Sequence, residues 1–171
     1  MNTKVEQALN EQMQAEFFSF YLYLSVAAYF TDRHLDGFAH WMRLQAQEEL
    51  SHAMKLFDHV AERGGSITLM ALDAPQHEWE SPSAAVEAVL NHERHITERI
   101  NRIADLANTE NDHATTVLMH WYVNEQVEEE ATADTLFNQV KMVEDSPHGL
   151  LMIDRELAGR QPAVADGGGE A

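Results

Sequence analysis

Four long stretches of the chain place apolar residues at helical spacing, and each stripe is broken near its middle by a carboxylate. The first runs Val5, Leu9, Met13, Phe20, Tyr23, Ala27 and Phe30, with Glu16 set between Met13 and Phe20. The second runs Phe38, Met42, Gln45, Glu49, His52, Leu56 and Val60, and the third Val86, Val89, Glu93, Ile96, Ile100, Ile103 and Ala107. The fourth runs Val117 or Leu118, Trp121, Tyr122, Glu125, Gln126, Glu129, Thr132, Leu136 and Val140. A recurrence of three and four residues lines one face of an α-helix. The chain therefore reads as all-α, a four-helix bundle whose inward faces carry acids with them.

Local punctuation sets the order of the helices. Thr3 with Glu6 makes a capping-box start, Asp32 to Gly37 is a turn in which Asp36 can cap the second helix, and Gly64-Gly65 stops that helix. Ser66 to Glu80 has no sustained period and contains Pro75. It exceeds the ~2–8 residues usual between adjacent antiparallel helices. A crossover of that length travels the height of a bundle, so helices two and three run parallel. Ser81-Pro82 opens the third helix, Asn108 to Asn111 turns into a fourth beginning near Asp112, and Ser146-Pro147 ends it. Gly149 to Ala158 is a short amphipathic fifth helix with Leu150, Leu151, Ile153 and Leu157. One domain covers residues 1–158, and the Gly- and Ala-rich stretch 159–171 is expected to be a flexible tail.

Composition narrows the partners. With 29 acidic residues against 11 basic ones the chain carries a net charge of −18. Such a surface repels phosphate backbones and anionic lipids, so neither nucleic acid nor membrane is an expected partner, while cations are. The same charge also serves solubility or salt tolerance. There is no cysteine, which excludes a disulfide scaffold, thiolate zinc and iron–sulfur clusters. Met1 to Asn10 lacks the regions of a secretory signal, and the apolar run Phe17 to Phe30 falls short of the ~20 residues of a spanning helix. The cytoplasm is the default location.

The chemistry lies in the interrupted stripes. Glu49 and His52, three apart on one helix, can both reach a single point beside it. Burying an unpaired carboxylate costs several kcal/mol, and four together would threaten a domain whose whole stability is ~5–15 kcal/mol. Protein cations are poorly placed to neutralise them. The first helix has no Lys or Arg between Lys4 and Arg33, the fourth has none before Lys141, and Arg43, Arg94, Arg99 and Arg102 lie off or at the edge of their stripes. Proton sharing would leave the acids nothing to do. Metal remains, and an oxygen-rich shell with one imidazole suits iron or manganese better than zinc or copper. A lone Glu on an amphipathic helix is more often an edge residue than a ligand; its recurrence on all four helices points to a dinuclear site.

Spacing and flanks together resemble bacterial non-haem ferritins over residues 3–158. The matching pieces are Asn10-Glu11-Gln12-Met13 leading to Glu16 and Tyr23, Ala46-Gln47-Glu48-Glu49 leading to His52, His92-Glu93, and Trp121-Tyr122-Val123-Asn124-Glu125-Gln126-Val127-Glu128-Glu129-Glu130. The resemblance implies a ferroxidase that oxidises Fe(II) with O2 or H2O2 at an intrasubunit di-iron centre and stores ferric mineral in a homo-oligomeric 24-mer shell. Carried over by position, Glu16, Glu49 and His52 would hold the first iron. Glu93 and Glu129, with Glu49 bridging, would hold the second, and Gln126 would sit beside it. Glu48, Glu125 and Glu128, sharing Glu129, match a third iron site. Tyr23 matches a one-electron donor near the centre, and equally reads as a core tyrosine bonded to a glutamate. Leu50 stands where bacterioferritins carry the haem-binding methionine, and the fourth helix lacks their second Glu-x-x-His, so haem is not expected. Rubrerythrins need cysteines absent here. Thr116 and Met119 stand where animal ferritins carry channel acids. The fifth helix resembles the one that packs at the family's fourfold axis. Two other readings use the same residues: a bundle that sequesters divalent metal without redox turnover, and a plain acidic helical bundle.

Overall fold

The computed structural model describes residues 1–161; of the tail expected from residue 159, the part from 162 onward lies outside the described residues. Five helices are found: α1 (Thr3–Thr31), α2 (Asp36–Glu62), α3 (Pro82–Thr109), α4 (His113–Met142) and α5 (Pro147–Leu157). No strand occurs among the described residues. The all-α bundle with a short fifth helix is thus the observed fold.

The helix starts are mostly made by small polar side chains that accept from otherwise unpaired backbone N–H groups. Ser81, Asp112 and Ser146 do this for α3, α4 and α5. At α1 the cap is Asn2, whose Oδ1 accepts from Lys4 N at 2.8 Å, one residue earlier than the capping-box reading. At α2, Asp36 is already helical and Leu35 before it offers no side-chain cap. The missing acceptor comes from α5, where Asp154 Oδ1 takes the Phe38 N–H at 3.0 Å. Gly37 makes this approach feasible, because a Cβ there would lie 1.7 Å from the Asp154 carbonyl oxygen. The opposite end of α2 closes on Gly64, at φ +67°, a left-handed conformation that glycine adopts without strain.

Side-chain contacts fix the helix directions. Gln12 meets Arg99 and Tyr23 meets Glu93, so α1 and α3 are antiparallel. Gln45 meets Glu129 and His59 meets Thr115, so α2 and α4 are antiparallel too. With short turns joining α1 to α2 and α3 to α4, the segment 63–81 carries the chain back along the bundle and α2 runs parallel to α3.

The core divides into two apolar clusters. One contains Phe30 stacked on Phe38 at 4.8 Å, with Tyr29, Trp79, Val86 and Leu136, and takes the inner side of α5 through Leu150, Ile153 and Leu157. The other contains Leu9, Met13, Leu56, Ile96, Ile100 and Met119. Met119, expected from the resemblance at a channel position, is wholly buried in this second cluster. The acids lie in the layer between the two.

Candidate metal centre

Each stripe carries its polar residue into the bundle, because the residues one turn away on the same face are core. Glu16 from α1, Gln45, Glu49 and His52 from α2, Glu93 from α3, and Gln126 and Glu129 from α4 are all buried. Ligand atoms of Glu16, Glu49 and His52 lie within 4.8 Å of one another. His52 Nδ1 and Glu49 Oε2 are 3.6 Å apart, too far for a hydrogen bond. Octahedral ligand atoms ~2.1 Å from one hard divalent ion are spaced by ~3–4 Å. The group is therefore sized for a cation between its members.

The other side of the layer is held by hydrogen bonds. Glu93 Oε1 accepts a short bond from the Tyr23 hydroxyl. Glu93 Oε2 accepts from Gln126 Nε2 at 3.1 Å, and the same amide also reaches Thr97 Oγ1 at 3.3 Å. Glu129 Oε2 accepts from Gln45 Nε2 at 2.7 Å, and Glu16 Oε1 from Gln12 Nε2 at 2.8 Å. The Tyr122 hydroxyl donates to the His52 carbonyl at 2.6 Å, tying α4 to α2 at the depth of the site. The His52 ring meets Trp121 edge-on at 5.3 Å.

Burial dominates the electrostatics, since it penalises the charged form of every carboxyl in the layer. It pushes Glu16 up to about 8, with the charge of Glu49 adding to the effect. Glu129 is pushed up to about 7 by burial and the nearby Glu48, against the opposing influence of His52. Glu49 and Glu93 are raised well above the usual carboxylate range by burial and then by Glu129. Among the described residues, no Lys or Arg ion pair includes Glu16, Glu49, Glu93 or Glu129. No hydrogen-bond donor reaches Glu16 Oε2; Glu49 beside it can share a proton only when one of the two carboxyls is protonated. An orphaned acceptor inside a layer short of positive charge fits a cation.

The expected third cluster is arranged differently from the first. Glu48 is half-buried and engaged by Arg160, whose Nη2 lies 3.0 Å from Glu48 Oε2. Glu125 is half-buried and Glu128 exposed. Neither joins Glu48 in a set of converging ligand atoms among the described residues. Arg160 is also the cation missing from the charge argument: it lies within the stretch expected to be flexible, yet its guanidinium donates to Gln45 Oε1 and Glu48 and lies 5.0 Å from the centre of the Trp41 ring. Nothing in the periodicity of the helices points to it. Gln12 was more accessible, since it stands four residues before Glu16, where side chains on one helix meet.

A family model described as the ferritin-like domain matches residues 6–143. The chain belongs to the ferritin family. Within it, the bacterial non-heme ferritin of Bacteroides fragilis (strain 638R) is 39% identical over 160 residues, spanning 94% of this chain and 99% of that one. The bacterial non-heme ferritin of Staphylococcus saprophyticus is 36% identical and covers 94% of this chain and 96% of its own. Among solved structures, the open pore ferritin of the hyperthermophilic archaeon Archaeoglobus fulgidus superposes with a TM-score of 0.93 at 48% identity, over 94% of this chain and 98% of that chain. A closed form of the same ferritin, engineered by site-directed mutagenesis, gives 0.92 at 48% over the same shares. The ferritin-family fold thus extends along nearly the whole chain.

Proposed function

We propose that this ferritin-family chain is an iron-storage protein and a ferroxidase, acting in the cytoplasm. In this reading Glu16, Glu49 and His52 bind the first Fe(II), and Glu93 and Glu129 bind the second with Glu49 as the bridge. The observation that carries it is the convergence of three buried ligand atoms beside an acceptor that no protein donor satisfies. Two Fe(II) ions give up one electron each to O2, which takes up two protons and leaves as H2O2. With H2O2 as oxidant, the same two electrons and two protons yield two waters. The protein contributes placement and charge: four carboxylates favour the higher oxidation state and hold both metals within reach of one oxidant. In this reading Tyr23, whose hydroxyl donates to Glu93, is a one-electron donor that with three Fe(II) completes the alternative four-electron, four-proton reduction of O2 to two waters.

Removing the bridge tests this directly. Glu49→Ala is expected to lose most of the aerobic Fe(II) oxidation, followed as ferric absorbance after anaerobic loading and admission of air. Oxidation at the parent's rate would reject the assignment. Parent protein that binds Fe(II) but stays colourless in air would instead support sequestration without turnover.

Gln126 brings no charge, and its amide nitrogen is spent on Glu93 and Thr97, so the second iron is expected to bind less tightly than the first. Anaerobic Fe(II) titration of the apoprotein is expected to resolve two unequal steps. A third iron at Glu48, Glu125, Glu128 and Glu129 requires Arg160 to leave Glu48, which makes that site weaker still. Storage requires assembly, proposed as a shell of 24 copies of the 19.4 kDa chain; light scattering that finds a stable monomer would leave the oxidation chemistry but remove the store.

A further inference from the structure

Two glutamates of the layer are reached by the same three-residue device, from opposite sides of the bundle. On α3, Arg99 Nε donates to Gln12 Oε1 at 2.9 Å, and Gln12 Nε2 donates onward to Glu16 Oε1 at 2.8 Å. Beyond α5, the Arg160 guanidinium donates to Gln45 Oε1, and Gln45 Nε2 donates onward to Glu129 Oε2 at 2.7 Å. Both arginines are held by further contacts: Arg99 Nη2 by the Glu11 carbonyl at 2.8 Å, and Arg160 by Glu48.

An amide accepts at one end and donates at the other, whereas a guanidinium can only donate. Arg99 and Arg160 therefore leave their glutamines one orientation, with the carbonyl toward the arginine and the NH2 toward the carboxylate. The reversed amide would set N–H against N–H at one end and oxygen against oxygen at the other. Both glutamines are buried, Gln12 completely, so in the intact fold each polar end of the amide meets its protein partner rather than water. The charge stays at the rim, where Arg160 keeps 27% of its side chain exposed, and only a dipole enters the core. This avoids the desolvation of an ion pair. With Glu16 Oε1 committed to Gln12, the oxygen left over is Oε2, the one that no donor reaches.

We propose that Gln12 and Gln45 are positioning residues, locked by Arg99 and Arg160, that select which oxygen of Glu16 and of Glu129 faces the metal layer. The proposal rests on the reading of these glutamates as iron ligands, and its test separates the two. In the metal-free full chain, Arg99 and Glu16 are coupled through Gln12. Thermal midpoints are measured for Arg99→Met, Glu16→Met and the double variant, then again with Gln12→Met added to each. Methionine is unbranched and of similar length, so each site stays filled. With Gln12 present the two changes depart from additivity by ~2 °C or more, and with Gln12→Met the departure vanishes. Additivity with Gln12 present, or coupling that survives its removal, overturns the relay.

Anaerobic Co(II) titration, read by calorimetry and by the visible d–d bands, tests the reach to the metal. Arg99→Met is expected to weaken Co(II) binding by ~10-fold or more and shift the bands, as losses of outer hydrogen-bond partners do. Arg99→Lys restores part of both. Arg102→Met, which lines the same groove but donates to the Glu98 carbonyl, leaves them at parent values. Arg160→Met, with Arg155→Met as its control, is expected to weaken the tightest Co(II) steps and shift their bands in the same way, while the Glu48 it releases adds only a separate, weaker step. Parent-like affinity and bands in Arg99→Met would overturn positioning even where the coupling is found. A parent that takes up no Co(II) overturns the ligand reading and positioning with it, while the coupling measured without metal still decides the relay.

Discussion

At the scale of single residues, Glu16 shows how an acid fixed by its helix can be tolerated in a core. Its carboxyl is raised from 4.5 to about 8, so between those values the folded chain binds more protons than the unfolded one. Stability contributed by a raised acid is full below its unfolded value and is lost as pH rises through the folded one. His92 works in the opposite sense at lower pH, since burial lowers its imidazole from 6.5 to about 4 and stability is lost as pH falls through that window. Between pH 6.5 and 8 the acids therefore govern, and the metal-free melting temperature is expected to fall across that range. Glu16→Gln is expected to flatten the decline and to abolish stabilisation by Co(II) or Mn(II), both read by calorimetric melts at a series of pH values. The acids and His52 were legible in the sequence because a charged residue in an apolar stripe contradicts its own surroundings. Gln12 and Arg99 conform to theirs, one as an ordinary polar residue and the other at a stripe's edge; helical spacing alone sets Gln12 beside Glu16, whereas only folded geometry brings Arg99 to Gln12.

At the scale of elements, α5 is more than an appendage. No residue of it is fully buried, yet it supplies the acceptor that α2 lacks and brings Arg160 to Gln45 and Glu48. Gly37→Ala would place a methyl inside the Asp154 carbonyl, and α5 must shift to admit it. Overpacking of this kind costs ~1–3 kcal/mol. A lower melting temperature and faster proteolysis between α4 and residue 161 are expected, against an unchanged pattern elsewhere. The sequence marked α5 as amphipathic and marked the long crossover as a return path, and the structure has both. It could not mark the cap, because Asp154 and Phe38 are brought together only by the fold. The starts of α1 and α5 also differ from the sequence reading by one or two residues, as helix ends commonly do.

At the scale of the molecule, an acid layer between two apolar clusters would link the proposed metal binding to folding, because the layer is assembled only in the folded chain. A ligand that binds only the folded chain raises its melting temperature, by an amount set by concentration over dissociation constant. Fe(II), added without air, is expected to raise it in a saturating manner; a melt indifferent to Fe(II), Mn(II) and Zn(II) would indicate a plain acidic bundle. Among the described residues, no helix is long and apolar enough to cross a membrane. The two clusters have a further effect on traffic. An ion moving along the bundle's long axis meets Phe30 and Phe38 on one side and Leu9, Met13 and Met119 on the other. Both plugs are mostly hydrocarbon, with a few tyrosine hydroxyls among the rings, so a hydrated ion threading the barrel end to end would have to strip off its water in grease, and a crossing through the wall between helices would cost it less.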